Sequence, residues 1–590
     1  MFQDAFDFDA FGPTQGTYKI NGVYYTLGNL PAEYRSKVDS ILMTYLVLEK
    51  DMKPSQQEEI LDHDKLKEVM KPLIEELEDL KTNGIEFDGE VLPVCLLFLI
   101  GDSLGQHTVG GFVKSFNSEF TCRYCPISKT DFRAAPHKVK PLRTPAQYDR
   151  AVVVVKRKWT ARRNEILKKV GKNVKRLDHS RTDTVLAKCS TPGMKAILKK
   201  NISKDSYKKL CAINFQGIKY RPSPFNSDTL QFHMCAPAML PCLAHDLFEG
   251  IVKIVLPKIL MHFIEVKHWF DLETLNRRIK TFKCKRSDAA DAPTVLKGFD
   301  KLSGTAVETW NLLRLLPFII GEFIQDEDDP MWQLYLTLKE ICELVCAPSI
   351  SMEQVAYLKS LTQSYVIQVK ALLPACLTPK HHWLVHYADL IIIFGPLIRL
   401  FTLRFESKHV FFKCVGDACK CFKNITKTLS RKYMYRFAYD NSSDIIPHYL
   451  DYDSSKSMPL YAESLPEEIA VLLPEDFTCD LTENLLKVTY NSVNYQIGDV
   501  LILDRAENVL DLEVGLIVKI FLHCQNTVHF ILQQKKAVNS CHGFYRLDKC
   551  VSNRFTIKTL DVLPDYYPLP AYEFQGSQCI ALKHSVTCML

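Results

Sequence analysis

No apolar run in the sequence reaches the ~18–20 residues that a membrane-crossing helix needs. The longest candidate, Val91 to Ile100, has the length of a buried strand. Charge of one sign is not in large excess either: 74 Lys and Arg stand against 68 Asp and Glu, a net of +6. That balance is compatible with a nucleic-acid partner and does not require one. Low-complexity tracts and internal repeats are absent, which excludes solenoids and arrays. The N-terminus MFQDAFDFDA carries acid where a signal peptide carries basic charge, so no leader is expected. The 20 Cys are scattered rather than regularly spaced. Together these features point to a non-membrane protein of a reducing compartment, with its Cys as thiols or metal ligands rather than disulfides.

What is present reads as folded protein. At 47% hydrophobic and 24% charged residues, disorder is not the main state. A length of 590 residues exceeds the roughly 250–300 of a single core, so two to four domains are expected. Residues 1–30 read as strands, with TYKINGVYYTL rich in Tyr, Val, Ile and Thr after the turn FGPTQG. Residues 32–50 have helical apolar spacing. A second helix is expected near 64–82 with Glu75, Glu76 and Glu78 on its polar side. The run VLPVCLLFLIGD predicts a buried central strand, covered on both faces, ending at Asp102. Residues 205–380 look mostly helical, broken at Asp326, Glu327, Asp328, Asp329 and Pro330, and helical character resumes over 395–436. Around Pro447 and SSKSMP the chain reads as a linker. Residues 485–560 then alternate as strands of a small all-β, barrel-like domain.

From about 137 to 180 the chain is strongly basic. Between Lys156 and Arg176 there are ten Lys or Arg against one acid, Glu165. A solvated helix face is one reading. Contact with a DNA backbone through Lys156, Arg157, Lys158, Arg162, Arg163, Lys168 and Lys169 is the other, and Trp159 inside the run favours it.

Three acids stand out by context: Asp4 in FQDAFDF, Asp102 after the apolar run in LFLIGDSLG, and Glu406 in LRFESKHVFF. An Asp that ends an apolar strand lies at a sheet rim, where oxygen ligands can converge on a hard cation. Cys122 and Cys125 form a CxxC, and PKHHWLVHY offers His381, His382 and His386. On a helix His382 and His386 are four apart and share a face. Two thiolates and two imidazoles make a closed tetrahedral zinc site. The bland alternatives are a buried thiol pair and core-packed histidines.

The stretches YKINGVYYTLGNLPAEYRSKV, FLIGDSLGQHTVGGFVKSFNSEFTCRYC, HDLFEGIV and PKHHWLVHY through FGPLIRLFTLRFESKHVFFK carry a resemblance. The chain resembles the eukaryotic cut-and-paste DDE transposases, in the branch uniting CACTA-type and Transib-type elements with the V(D)J recombinase. The motif order is similar as well: Asp102 precedes Cys122 by 20 residues and His386 precedes Glu406 by 20. The resemblance spans residues 1 to about 440.

It implies an α/β ribonuclease-H-like catalytic core interrupted by a large all-helical insertion and followed by the all-β domain. The expected divisions are core 1–136, basic segment and insertion 137–375, core 376–440, linker 441–484 and β-rich domain 485–590. By resemblance Asp4, Asp102 and Glu406 match the catalytic acids, holding Mg²⁺ or Mn²⁺, with Asp7 or Asp9 as substitutes for Asp4. Cys122, Cys125, His382 and His386 match the Zn²⁺ ligands, with His381 as runner-up. Cys242 and His245 match a family signature. The implied function is metal-dependent DNA strand cleavage and transfer, the partner DNA, the state a homo-oligomer and the place the nucleus. The alternative is a catalytically inactive domesticated protein that binds DNA or chromatin. The remaining Cys, such as Cys414, Cys419 and Cys421 after Glu406, are expected to be buried thiols.

Overall fold

The structure is a computed structural model that describes residues 2–11, 19–31, 35, 37–60, 62–177, 202–235, 238–420, 422–442, 450–491, 493–505, 511–548 and 554–586, with backbone alone for 2–11 and 171–177. These residues fall into two units. The first comprises Met1–Asp246, Leu377–Gly395 and Arg399–Asp440. The second comprises Leu247–Cys376, Pro396–Ile398 and Asn441–Leu590.

The first unit is built on a four-stranded sheet. Strands β1 (Phe2–Phe11), β2 (Ile20–Leu27) and β3 (Leu42–Leu48) form an antiparallel meander. Strand β4 (Val94–Leu99) joins β1 in parallel, giving the order β3-β2-β1-β4. Residues 42–48, expected as helix within 32–50, are therefore a strand. A short apolar run such as ILMTYLVL fits either element by periodicity alone, and pairing with β2 decides it. The expectation of a central β4 also fails. Among the described residues, only an isolated bridge from Leu99 to Met239 and the Leu99 N–H donated to Ala238 O at 2.9 Å lie beyond β4. Leu97 on β4 is exposed.

The helix expected near 64–82 is α1 (Lys65–Asn83), capped by the Asp64 carboxylate, which accepts the Lys67 N–H. Met70, Leu73 and Leu77 face inward at helical spacing, while Glu75 and Glu76 face solvent. After β4 the chain turns into α2 (Ser103–Val109). At the end of α2, Gly111 has φ +68, and a Cβ there would lie 2.5 Å from Arg221 O. Only glycine fits that turn. The basic segment is the long helix α3 (Pro145–Leu177). Tyr148, Ala151, Val152, Val155, Trp159, Ile166 and Val170 form its buried stripe.

The second unit combines helices with the C-terminal sheet. Its helices include Ala306–Ile320, Pro330–Val345 and Met352–Leu372. The acidic break falls where expected, and Asp329 caps the helix that has Pro330 in its first turn. The C-terminal part is β-rich: a ten-stranded sheet whose longest pair, Leu512–His523 and Thr527–Asn539, is antiparallel. Leu315 and Phe318 share a core with Phe544, Tyr572 and Phe574 of the sheet. Residues 247–375, read as part of the insertion, thus pack with the β-rich region, whereas 137–246 belong to the first unit. Within the stretch read as a linker, Leu460, Ile469 and Phe477 pack against Phe521 and Ile531.

Candidate metal centre and acidic site

The knuckle that carries Cys122 and Cys125 folds back on itself, with the Cys125 N–H donated to the Cys122 sulfur at 3.4 Å. Arg143 donates to Cys122 O at 3.0 Å and fixes the knuckle against the chain that follows. Opposite it stands α4 (Pro379–Val385), with His382 in its last turn and His386 at its end. Helical spacing brings the two Nε2 atoms to 3.1 Å. Cys125 Sγ lies 3.1 Å from His382 Nε2, and Cys122 Sγ lies 3.7 Å from His386 Nε2. The four ligand atoms are all within 4.8 Å of one another, and all four residues are buried. The structure therefore holds a buried Cys2His2 group able to take a metal ion.

His381 is not part of this group. It faces the other way and closes the N-terminal cap of α4, accepting the Thr378 N–H at 3.1 Å. Burial pushes its pKa down to about 3. The two thiols of the centre are electrically unequal. Burial alone would disfavour a thiolate at Cys122, but the Cys125 thiol and the His382 and His386 imidazoles outweigh it and hold the Cys122 pKa well below the usual thiol range. The same contact with Cys122, together with burial, pushes Cys125 up.

The signature Cys242–His245 lies at the start of a π-helix, Ala244–Val252, a rare wide turn often found where function demands geometry. Cys242 Sγ is 3.1 Å from His245 Nδ1 and 2.8 Å from Thr402 Oγ1. Thr402 precedes α5 (Leu403–Cys419), whose first turn carries Glu406. His245 Nδ1 lies 3.7 Å from Glu406 Oε1. The signature thus anchors the helix that presents Glu406. Burial and the nearby Asp246 raise the Cys242 pKa, so this sulfur is a neutral thiol.

Asp246, which the motif reading did not single out, links the pieces. Its carboxylate accepts from Ser103 Oγ at 2.6 Å and pairs with Arg123 at 3.2 Å. Both members of the ion pair are buried. Arg123 is sandwiched between the rings of Tyr124 and Trp383, each 4.6 Å from its guanidinium carbon. Ser103 follows Asp102, and Arg123 follows Cys122. A single carboxylate therefore ties the sheet rim to the knuckle. The only signal for it in the sequence was its place in the box HDLFEGIV.

Asp102 stands at that rim, half-buried, and caps α2 by accepting the Gly105 N–H. Glu406 is half-buried on α5. Asp4 is described by backbone alone. It lies opposite Leu27 on β2 and Leu96 on β4. The last registered pair of β1 and β4 is Phe6 with Leu99. Asp9 is three residues past Phe6, as Asp102 is three past Leu99. Asp9 and Asp102 both lie beyond the paired part of the two strands, whereas Asp4 lies within it.

The basic helix α3 has the character of a solvated face over an apolar stripe. Lys156, Arg157, Lys158, Lys168 and Lys169 are exposed. Arg162 pairs with Glu165 at 2.7 Å, and Arg163 donates to Ile60 O. Trp159, read as a sign of DNA contact, is a core residue stacked on Tyr220 at 4.0 Å. The side chains of 172–176 lie outside the described residues. Cys414, expected to be buried, is exposed, Cys419 is half-buried, and Cys421 lies outside the described residues. The inward face of α5 is Phe405, His409, Phe412 and Gly416, which turns Cys414 outward.

A second ligand cluster escaped the sequence reading. Glu327, Cys541 and His542 of the second unit bring one ligand atom each within 4.8 Å of the others, with Cys541 Sγ 2.9 Å from Glu327 Oε1. A cleft of about 210 Å³ beside Asp102 was equally invisible, since Lys53, Lys114 and the pair Lys219 and Arg221 reach it from three separate segments. No helix among the described residues is long and apolar enough to cross a membrane. No protein-family model matches the chain, and no curated protein matches it.

Proposed function

We propose that the chain is a DDE-type DNA transposase, or derives from one, with a ribonuclease-H-like core. The observation that carries this reading is the convergence of Cys122, Cys125, His382 and His386. Their pairing was expected from motif order alone, across some 260 residues of sequence, and their ligand atoms lie within 4.8 Å of one another. Such a set of two thiols and two imidazoles, fully enclosed, suits structural Zn²⁺. The antiparallel meander, with a fourth strand parallel to its first, supports the core assignment.

In this reading Asp102 and Glu406 hold Mg²⁺ or Mn²⁺ together with an acid of β1. Bound divalent ions supply an activated water and neutralise the leaving oxygen in phosphodiester cleavage. The protein's own part is positioning. Asp246 and Ser103 fix the turn after Asp102, and Cys242 fixes the start of the Glu406 helix. The exposed cations of α3 offer a backbone contact for DNA. Homo-oligomeric assembly and a nuclear site of action go with the same reading.

One observation favours the alternative of a domesticated, non-cleaving DNA- or chromatin-binding protein. Asp4 lies opposite Leu96, six positions short of Asp102. Nicking of supercoiled plasmid with Mg²⁺ or Mn²⁺ separates the two. Cleavage by the wild type that disappears in Asp102→Ala and Glu406→Gln supports the enzyme. Asp4→Ala and Asp9→Ala then identify the third acid. DNA binding without nicking in the wild type supports the domesticated protein.

A further inference from the structure

The cleft beside Asp102 has an unusual charge arrangement. Asp102, Gly105 and Thr108 line one side, and Lys53, Lys114, Lys219 and Arg221 approach from the others. The acids that also line it are mostly engaged. Glu49 pairs with Lys53, and Glu59 accepts from Tyr220 and Arg221, both at 3.1 Å. Asp64 caps α1 and lies 3.9 Å from Arg221. The side chains of Lys114 and Lys219, by contrast, make no hydrogen bond or ion pair within 4 Å among the described residues, and Lys219 bonds only through its backbone N–H, to Gly111 O.

Both lysines are half-buried. Burial, and then the like charges of Lys219 and Lys53, push the Lys114 pKa down to about 8. Depression of a lysine means that its charged form is disfavoured in the folded chain. The cost applies in full below about pH 8 and is relieved as the pH rises towards the unfolded lysine value. The carboxylates of Glu49 and Asp102 favour the charged form of Lys114, but they do not outweigh burial and the neighbouring lysines. The arrangement of Lys114 and Lys219 has a physical rationale if an anion occupies the space between them.

We propose that Lys114 and Lys219 form a phosphate-binding subsite that holds the backbone of a DNA strand against Asp102. The inference builds on the DNA-cleavage reading and adds the residues that place the strand. Phosphate suits the site because an ammonium is a compact point charge that binds phosphate oxygens without demanding a planar partner. Location suits it too: Asp102 lines the same cleft, so a strand gripped there runs past the acid. The exposed cations of α3 then serve as a general electrostatic footing and this pair as the local clamp. Both are positioning residues.

The test uses the full chain without chelator and without added Mg²⁺ or Mn²⁺, so that binding is read without cleavage. Fluorescence anisotropy with a labelled duplex is measured over a salt series for the wild type, Lys114→Gln/Lys219→Gln and the control Lys168→Gln/Lys169→Gln on α3. The cleft variant is expected to lower the slope of log K against log salt by about 1.8, since each phosphate contact contributes about 0.9. It is also expected to melt no lower than the wild type at pH 7, because it removes an unrelieved charge. In Mg²⁺ the same variant should nick less, with a higher KM for plasmid. An unchanged salt slope in a variant that binds DNA overturns the proposal and leaves the transposase reading standing. A wild type that binds no duplex overturns the proposal, and nicking by that same preparation tells whether the transposase reading falls with it. Asp102→Ala should keep the wild-type slope, which separates loss of grip from loss of chemistry.

Discussion

Asp246 and Arg123 form an ion pair with both side chains buried. Removing one partner of such a pair leaves a charge without water or counter-ion, which costs roughly 3–5 kcal/mol. Asp246→Asn is therefore expected to lower the stability of the chain by about that amount in denaturant titration, and replacing both residues by apolar ones of similar size should cost less. At the metal centre, Cys122→Ser is expected to abolish tightly bound zinc in the purified chain, measured by elemental analysis, whereas His381→Gln should retain it because His381 closes a helix cap. His107 offers a pH test. Burial pushes its pKa down to about 4 from an ordinary 6.5, with Arg123 adding to the effect. The unfolded chain thus binds the proton first. The stability that His107 confers is full above about pH 6.5 and is lost as pH falls towards 4. By that linkage the wild type should lose roughly 2 kcal/mol between pH 7 and pH 5 through this residue alone. A His107→Gln variant should show a correspondingly flatter pH profile.

The helix α3 joins two faces of different character, and the proposed DNA contact concerns only one of them. Its apolar stripe belongs to the core, so Trp159→Ala is expected to cost about 3–5 kcal/mol, as other large-to-small aromatic replacements do. Its polar face carries Lys156, Arg157, Lys168 and Lys169 to solvent. Converting those four to Gln should leave the melting temperature nearly unchanged while weakening DNA binding in a salt-dependent way. The opposite pattern, with DNA affinity lost in Trp159→Ala at full folding, would return Trp159 to the binding surface. In the sequence the helix of α3 was only one of two readings of a basic run, although its apolar residues three and four apart have the helical period. Reading by period failed at residues 42–48. Eight apolar or near-apolar residues in a row give no period, and the strand is chosen by its neighbour β2.

Within the first unit, the metal centre and the Asp246 network join chain segments that are far apart in sequence. Chelation of zinc is expected to release the α4 histidines from the knuckle, and hydrogen exchange should rise in 120–127 and 379–386 before it rises in β2 and β3. Exchange that rises uniformly would show that the centre is not a separate clasp. In the second unit the division of labour differs from the one expected: the helical segment 247–375 and the β-rich C-terminal region share a core through Leu315, Phe318, Phe544, Tyr572 and Phe574. Composition gave no indication of this, because apolar residues in both parts show only that each has a face to bury.

The sequence by itself determined which chemistry the chain can carry. Ligand types and their local spacing are properties of residues: a CxxC, two histidines four apart on one helix, and an acid after an apolar strand. Secondary structure with a clear period was legible for the same reason, as in α1 and the alternating C-terminal strands. The tertiary structure alone decided what meets what. It brought the knuckle and α4 together. It chose His382 over His381 by the direction each faces from the helix, and it paired β1 with β4 so that Asp4 lies opposite Leu96. It also made Asp246 the link between them and gathered Lys114 and Lys219 into one cleft. Such meetings are set by strand register and by packing between segments hundreds of residues apart, and no short window of sequence records either.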